Sequence, residues 1–255
     1  MNYNHIVLIR YSVIFSNQFA NSSSEMFTKE KLDKRFFYFK NICFRSLISQ
    51  SRNEFKVIIL VDKNLPDDHH IELQKLIQDY PNFIIHVWNT SDDIKKNDWV
   101  MPYINTDLKN IIYTRIDDDD GIHVDIMKSI NNAYNKWKKY NMIPTFYGCK
   151  RGNYLVDKGE NYNIIPTRNS FIAIGLSYFT KITDDRTIFY YDHSKLSPSF
   201  GIRLMDNNKY KNAYICTAHK NNNSLRYINL AKKCKDNNST ELSAIYKLME
   251  WKELV

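Results

Sequence analysis

The first half of the chain alternates short apolar runs with amphipathic segments, and this order limits the folds available to it. Three runs have the length and β-branched content of strands: HIVLIRYSVIF, FKVIILVD and FIIHVW. Two intervening segments carry apolar residues at helical spacing: RFFYFKNICFRSLISQ and DDHHIELQKLIQDYP. An alternation of strands and helices predicts parallel strands joined by right-handed crossovers. Because FKVIILVD is almost wholly apolar, we expect helices on both faces of that sheet.

The second half of the chain has a different pattern. A fourth strand, NIIYTRID, and a helix, DIMKSINNAYNKWKKY, are followed by short β-like runs: TFYGC, NYLVD, NIIPT, FIAIGLSYF, TIFYYD and YICTAH. The last segment, STELSAIYKLMEWKELV, is helical in pattern. No internal repeat and no Pro-, Gly- or Ser-rich linker interrupts the chain. We therefore predict one α/β domain over residues 1–255, with a doubly wound, mostly parallel sheet, a mixed β-rich second half and a C-terminal helix.

Composition narrows the class of partner and the compartment. The net charge of +8 suits an anionic partner such as a nucleotide, although a generally lysine-rich surface explains it equally well. The charge is scattered, which argues against nucleic acid. Four separated cysteines without a CxxC pair indicate a reducing compartment, and we expect a cytoplasmic protein. The opening residues lack the pattern of a signal peptide, and no apolar run reaches the roughly 18 residues that span a membrane, so we expect neither a leader nor a transmembrane segment; peripheral membrane contact stays open.

Four consecutive aspartates, Asp117 to Asp120, close the fourth predicted strand and precede Gly121. Two like charges about 4 Å apart repel by about 4 kcal/mol at a partly buried site, so the cluster needs a counter-charge or free solvation. Ligands of open α/β sheets bind outside the carboxyl ends of the strands, and hard oxygen donors suit Mg²⁺ or Mn²⁺. A solvated acidic turn is the alternative. An EF-hand is excluded, since Ile116 and Lys128 stand where acidic ligands are required.

The aspartate segment resembles a known family. TRIDDDDGIH is similar to the Arg-Leu-Asp-x-Asp-Asp-x-x-His pattern of the rhamnosyltransferase family, glycosyltransferases whose GT-A fold carries an Asp-x-Asp metal signature. The second-strand block RFFYFKNICFRSLISQSRNEFKVIILVDKNLPDDHHIELQKL, the opening strand and the late YICTAHKNNNS follow the order of that family, so that the resemblance covers most of residues 5–224. In the late match, Cys216 and Lys220 stand where the family usually has an aromatic residue and a glycine.

The resemblance implies a single GT-A-like domain with two functional halves. A nucleotide-sugar-binding half would span about 1–125, and an acceptor-side half with the C-terminal helix would span about 126–255. Asp119 would be the direct metal ligand, Asp117 would face the ribose or a metal-bound water, and Asp120 would support one of them. Asp118 stands at the variable position of the family pattern. It would lie beside the donor, or else be a solvated carboxylate without a role in binding.

Further roles follow from the same resemblance. Asp62, which closes FKVIILVD, would accept hydrogen bonds from the nucleotide base, or else serve as an ordinary turn residue. Arg10 and Arg115 lie near strand ends and would bind phosphate or pair with the aspartates. His219 would be a late metal or diphosphate ligand, which favours Mn²⁺, or else a structural histidine.

The catalytic base is sought in FYYDHSKL. Inverting transfer needs a carboxylate or imidazole that takes the proton of the acceptor hydroxyl. Asp192 with His193 is the first candidate, and Asp184, Asp185 and Asp206 are the alternatives.

Three hypotheses follow. The first is a metal-dependent glycosyltransferase that moves a sugar, rhamnose by the family label, from a nucleoside-diphosphate sugar to a glycan or another hydroxyl acceptor. The second is a metal-dependent nucleotidyl or phosphoryl transferase, although no GxxxxGK[ST] phosphate loop is present. The third is a basic polyanion-binding module without enzymatic activity, in which the aspartates are only structural.

Overall fold

The structure is a computed structural model that describes residues 2–13, 27–88, 93–139, 144–159, 161–198, 201–220, 226–234 and 239–252. The last two residues of the first predicted strand and the asparagines of YICTAHKNNNS lie outside these ranges. No helix in the described part of the chain has the length and apolar content that crossing a membrane requires.

The described residues form twelve strands: β1 (Asn4–Tyr11), β2 (Lys56–Asp62), β3 (Phe83–Trp88), β4 (Asn110–Asp117), β5 (Gly121–Ile122), β6 (Thr145–Cys149), β7 (Arg151–Asp157), β8 (Tyr162–Arg168), β9 (Leu176–Lys181), β10 (Arg203–Asn207), β11 (Tyr214–Ala218) and β12 (Ser239–Thr240). They form six α-helices: α1 (Lys29–Tyr38), α2 (Arg45–Ile48), α3 (Asp67–Ile77), α4 (Ile126–Lys139), α5 (Arg226–Ala231) and α6 (Leu242–Met249). Three short 3₁₀ turns cover Met101–Tyr103, Ile188–Tyr190 and His193–Lys195.

Two sheets organise the fold. The larger has the order β10-β6-β9-β4-β1-β2-β3, and the smaller has the order β12-β8-β7-β11-β5. In the larger sheet, β3, β2, β1 and β4 run parallel, while β9 is antiparallel to β4 and to β6. The mixed α/β class with a mostly parallel sheet and a C-terminal helix is confirmed.

Both faces of the central strands are buried, as their apolar sequence requires. Along β2, Val57 and Ile59 point into one hydrophobic cluster, and Ile58 and Leu60 point into the other. Helices α1, α3 and α4 cover the first face. Among the described residues, the second face is covered instead by irregular segments around Trp99 and by the 3₁₀ turn Ile188–Tyr190. The apolar run thus predicted burial on both faces correctly, but not helices on both.

Three local predictions differ from the structure. The helix of RFFYFKNICFRSLISQ is interrupted by a π-helical segment, Phe39–Phe44, between α1 and α2. TIFYYD is not a strand, because the Thr187 hydroxyl accepts a hydrogen bond from the Phe189 amide and caps a 3₁₀ turn. Strand β10 was not predicted, since its sequence RLMDN lacks an apolar run. The C-terminal helix is present, with Ile245 and Met249 buried.

Candidate functional site

The aspartates lie where the two sheets meet. Asp117 is the last residue of β4 in the larger sheet, and Gly121 begins β5 in the smaller sheet. The Asp120 amide donates to the Asp117 carbonyl at 3.1 Å, which closes a tight turn between them. Because β5 runs antiparallel to β11, with Gly121 beside Ile215, the residues that precede Gly121 extend toward the carboxyl end of β11, where the Thr217 amide contacts Asp120. His219 directly follows that end, so one short turn faces residues that are 100 positions away.

Asp119 and His219 come together across this junction. The Asp119 Oδ2 and His219 Nε2 atoms are 3.2 Å apart. The Tyr38 ring stacks on the imidazole, with ring centroids 4.5 Å apart and planes at 18°. Its hydroxyl donates to Asp157, which also pairs with Lys34 at 2.8 Å. The imidazole plane is therefore set by a residue that is itself held in place.

Asp117 is paired with two arginines. Arg10 Nη2 lies 2.8 Å from Asp117 Oδ1, and Arg115 Nη2 lies 3.6 Å from the same oxygen. The β1–β4 register places Arg10 directly beside Asp117, which explains the shorter contact. Burial raises the pKa of Asp117, but the two guanidinium groups outweigh burial and lower that pKa to about 2. Asp117 therefore carries a full negative charge at neutral pH.

Asp118 and Asp120 are buried, and their carboxylates bind residues that pack against the aspartate turn. Arg35 Nη1 lies 3.3 Å from Asp118 Oδ2, and the Thr217 amide donates to Asp120 Oδ1 at 2.9 Å. Burial raises the pKa of both carboxyl groups, and repulsion from the neighbouring aspartates raises it further. Asp118 is only 6% exposed, so the alternative of a solvated carboxylate at this position is wrong.

His193 reaches the same site, whereas Asp192 does not. His193 Nδ1 lies 3.5 Å from Arg115 Nη1. Burial lowers the pKa of His193, and the charge of Arg115 lowers it further. Asp192 instead accepts hydrogen bonds from the amide and hydroxyl of Ser194, at 2.9 and 2.7 Å, and its side chain is 48% exposed.

The remaining candidates have local structural partners. Asp62 is buried at the end of β2 and accepts a hydrogen bond from the Asn64 amide at 2.9 Å, which forms an Asx turn. Asp184 binds Tyr178, Thr180 and Arg186.

The other two alternatives for the base also have local contacts. Asp206 pairs with Lys150 at 3.0 Å. The backbone carbonyl of Asp185 accepts from the Asn97 amide at 2.8 Å.

Three residues of the site were not identified from the sequence. Arg35 and Tyr38, three positions apart on α1, contact Asp118 and His219. The Phe189 ring lies 5.6 Å from the Arg10 guanidinium and 5.3 Å from that of Arg115. The helical spacing of Arg35 and Tyr38 indicates a shared face, but nothing local to it identifies the aspartates as its neighbours.

The donor atoms fit a metal that is shared with a substrate. Within the described ranges, no group of three or more His, Cys, Asp or Glu side chains is arranged to hold a metal ion. Asp119 and His219 provide one carboxylate oxygen and one imidazole nitrogen at 3.2 Å. Magnesium-type sites commonly combine one or two protein ligands with phosphate oxygens and water. The pair therefore suits a divalent ion bound together with a diphosphate, and does not suit an all-protein cage.

Comparison with known proteins gives one matching family and several solved structures of low sequence identity. The profile of the family described as "Putative rhamnosyl transferase" matches residues 4–230. No curated protein matches the chain significantly. Similar solved structures include residues 1–349 of S. aureus TarS in complex with UDP-GlcNAc, at 11% identity and a TM-score of 0.46, covering 86% of this chain. The T. maritima inositol-1-phosphate CTP transferase has 11% identity and a TM-score of 0.44, covering 91% of this chain and 97% of its own. This chain spans 60% of the length of the TarS fragment.

Proposed function

The chain belongs to the family described as "Putative rhamnosyl transferase", and on that premise we propose that it transfers a sugar from a nucleoside-diphosphate sugar to an acceptor hydroxyl. One observation carries the mechanistic part of the proposal. The side chains of Asp119 and His219 meet at 3.2 Å beside the carboxyl end of the central strand β4. That edge is where open α/β sheets bind nucleotides.

Asp119 and His219 would hold a divalent ion together with the donor diphosphate. Such an ion stabilises the negative charge that develops on the departing nucleoside diphosphate. The imidazole ligand favours Mn²⁺ over Mg²⁺, since Mg²⁺ prefers oxygen donors. The stack with Tyr38 supports this role of His219, because it restrains the ring without occupying the Nε2 atom.

Arg10, Arg115 and Asp117 form the neighbouring part of the donor site. With its pKa lowered to about 2, Asp117 remains an acceptor at every physiological pH, which suits a ribose hydroxyl or a metal-bound water. Each arginine has five N–H donors, and a single Asp117 oxygen takes one close contact from each. The two arginines would bind phosphate oxygens of the donor while they orient Asp117.

His193 is the better candidate for the catalytic base. Because its pKa is lowered below the ordinary value of 6.5, the imidazole is neutral at pH 7 and can accept a proton from the acceptor hydroxyl. It lies beside Arg115 in the site, whereas the side chain of Asp192 is engaged by Ser194. Asp192 remains the alternative. This role applies if the transfer inverts the anomeric centre.

The donor and the reaction class are tested together. The protein is incubated with a panel of nucleoside-diphosphate sugars that includes dTDP-rhamnose, with Mn²⁺ or with EDTA, and release of nucleoside diphosphate is measured. We expect release from at least one donor that depends on Mn²⁺ and rises with a hydroxyl acceptor. Release of pyrophosphate from a nucleoside triphosphate would indicate the nucleotidyl transferase instead. Salt-sensitive polymer binding without turnover of any donor would favour the binding module.

A further inference from the structure

The segment from Leu242 to Lys252 lies past the residues that match the family profile, 4–230, and it packs against the aspartate turn. Its geometry begins at the end of α6. Glu250 adopts a left-handed conformation with φ of 57°. Its amide donates to the Lys247 carbonyl at 3.2 Å, and the Trp251 amide donates to the Tyr246 carbonyl at 2.9 Å. These two bonds define a Schellman motif, which reverses the chain and directs Trp251 back toward β5.

Trp251 contacts the backbone directly after the aspartates. Its indole Nε1 donates to the Ile122 carbonyl at 2.7 Å in a buried bond. Its six-membered ring covers Gly121 so closely that a Cβ on that residue would lie 2.5 Å from Trp251 Cη2. A side chain at position 121 would therefore clash with the indole, and glycine avoids this clash. The contact is one residue from Asp120 and two from Asp119.

A second set of bonds fixes the segment on its other side. Arg45 Nη1 donates to the Lys252 carbonyl at 2.9 Å, and the Lys252 amide donates to Ser49 Oγ at 2.8 Å. The Arg45 guanidinium also lies 3.9 Å from the centre of the Tyr246 ring. Trp251 is thus held between α6 and the end of α2, and it cannot shift without breaking these contacts.

The same hydrophobic cluster reaches both members of the proposed metal pair. Its buried members include Tyr38, Ile42, Ile215, Met249 and Trp251. Tyr38 stacks on His219, while Ile42 and Trp251 pack on Gly121. Within this cluster, Tyr38 at the end of α1 supports the imidazole of His219, while Ile42 of the π-helical segment and Trp251 after α6 support the aspartate turn.

We propose that Trp251 is a positioning residue that sets Asp119 against His219 by fixing the backbone of Gly121 and Ile122. Only one part of this proposal rests on the proposed function, namely that Asp119 and His219 bind a metal ion. The placement of the turn is a property of the protein without any ligand, so the two can be tested separately.

The experiment compares wild type with Trp251→Phe, which retains a ring and loses the indole donor. Trp137→Phe is the matched control, since Trp137 is a buried tryptophan that packs on Tyr134 and Phe179 in the main core. The first measurement is amide hydrogen exchange over residues 117–124 without metal. The second is Mn²⁺ affinity by calorimetry with a saturating nucleoside diphosphate, chosen as the one that raises the melting temperature of wild type most.

We expect faster exchange over 117–124 in Trp251→Phe, because the buried Ile122 carbonyl loses its donor. Mn²⁺ binding should be about tenfold weaker, because binding must then also restore the order of the turn. Trp137→Phe should lower the melting temperature and change neither measurement. Unchanged exchange over 117–124 in Trp251→Phe would overturn the proposal. A different outcome is faster exchange in Trp251→Phe together with no Mn²⁺ binding to wild type. It would show that Trp251 supports the turn but that the proposed function fails, and it would overturn the role of Trp251 in metal binding.

A second variant covers the case in which Trp251→Phe does not fold. Gly121→Ala places a methyl group against the indole from the opposite side of the same contact. It should shift the turn and weaken Mn²⁺ binding in the same direction. Wild-type Mn²⁺ affinity in Gly121→Ala would contradict the proposal.

Discussion

The aspartate turn and the nearby turns of Ile188–Lys195, which contact Arg10 and Arg115, are built in contrasting ways. In the aspartate turn, every carboxylate has a partner from a distant element: Arg10 for Asp117, Arg35 for Asp118, His219 for Asp119 and the Thr217 amide for Asp120. In the second region, Asp192 is bound by Ser194 two residues away, and Tyr190 is 50% exposed.

The difference follows from charge density. Four adjacent carboxylates at a partly buried edge repel strongly when they are charged. Fixed counter-charges and donors relieve this repulsion, as do the raised pKa values of Asp118 and Asp120. In the proposed function, those fixed groups would also hold the carboxylates in position before the metal and the nucleotide sugar bind. The Ile188–Lys195 region carries no such run of carboxylates: Asp192 is held by a local bond to Ser194, and Ile188 packs into the second hydrophobic cluster. In the proposed function, the exposed surface of this region would fit the acceptor. Substitutions should therefore cost most in the aspartate turn.

Asp119→Asn should have the largest effect. The substitution keeps the shape of the side chain and removes the charge that would bind the metal, so activity should fall at least about a hundredfold. The melting temperature without metal should change little, since the Asn side chain has nearly the size and shape of the Asp side chain. Steady-state rates with Mn²⁺ check the first expectation and thermal unfolding checks the second. Retained activity would place the metal elsewhere.

His193→Gln should cause the second largest loss of activity, because it removes the candidate base. A positioned base typically contributes about 10²- to 10⁴-fold. In wild type, kcat/KM should fall as pH drops through the lowered pKa of His193, below 6.5, since protonation removes the acceptor. His193→Gln should lack that acidic limb. If the limb persists in the variant, the base is another group, with Asp192 as the next candidate.

Arg10→Met should change how stability responds to acid. The pKa of Asp117 is lowered to about 2 in the folded state, so its pairing stabilises the fold above the unfolded-state pKa of about 3.9 and is lost as pH falls toward 2. Chemical denaturation between pH 5 and pH 2.5 should show a smaller loss of stability in Arg10→Met than in wild type.

The control for Arg10→Met is Lys29→Gln. Lys29 pairs with Asp33 at the exposed surface of α1, where such pairs contribute little. Its acid response should match wild type. If Lys29→Gln reduces the acid sensitivity as much as Arg10→Met does, the Arg10–Asp117 pair has no special role.

Asp192→Asn should have the smallest effect. Asn caps a helical turn about as well as Asp, and exposed substitutions usually change stability by less than about 0.5 kcal/mol. We expect activity within about twofold of wild type, because the base would be His193. A loss comparable to that of His193→Gln would show that the two residues act together, and would remove the contrast between the regions.

Much of the frame around the site was predictable from the sequence. Apolar runs located β1, β2, β3 and β4, and the rule for strand ends placed Asp117 to Asp120 at a binding edge. The resemblance added His219, which the structure brings to Asp119 across 100 residues. These features depend on the local residue pattern and on the topology of the sheet, and both can be inferred from the order of strands and helices along the sequence.

The supports of the site were not predictable in the same way. Tyr38 and Ile42 face the aspartate turn from the junction of α1 with a π-helical segment, which ordinary helical spacing does not anticipate. Trp251 depends on a Schellman motif whose left-handed residue is Glu250, where a glycine would have been the recognisable signal. Each requires knowledge of which elements pack together.

The most direct test of the central claim is Mn²⁺ binding followed by electron paramagnetic resonance, with and without a nucleoside diphosphate, in wild type and in Asp119→Asn. With Asp119 and His219 as its proposed ligands in the described part of the chain, wild type should bind Mn²⁺ weakly alone and much more tightly once the diphosphate is present, and Asp119→Asn should lose the tight binding. Equal Mn²⁺ affinity with and without the diphosphate, or tight binding retained in Asp119→Asn, would contradict the account.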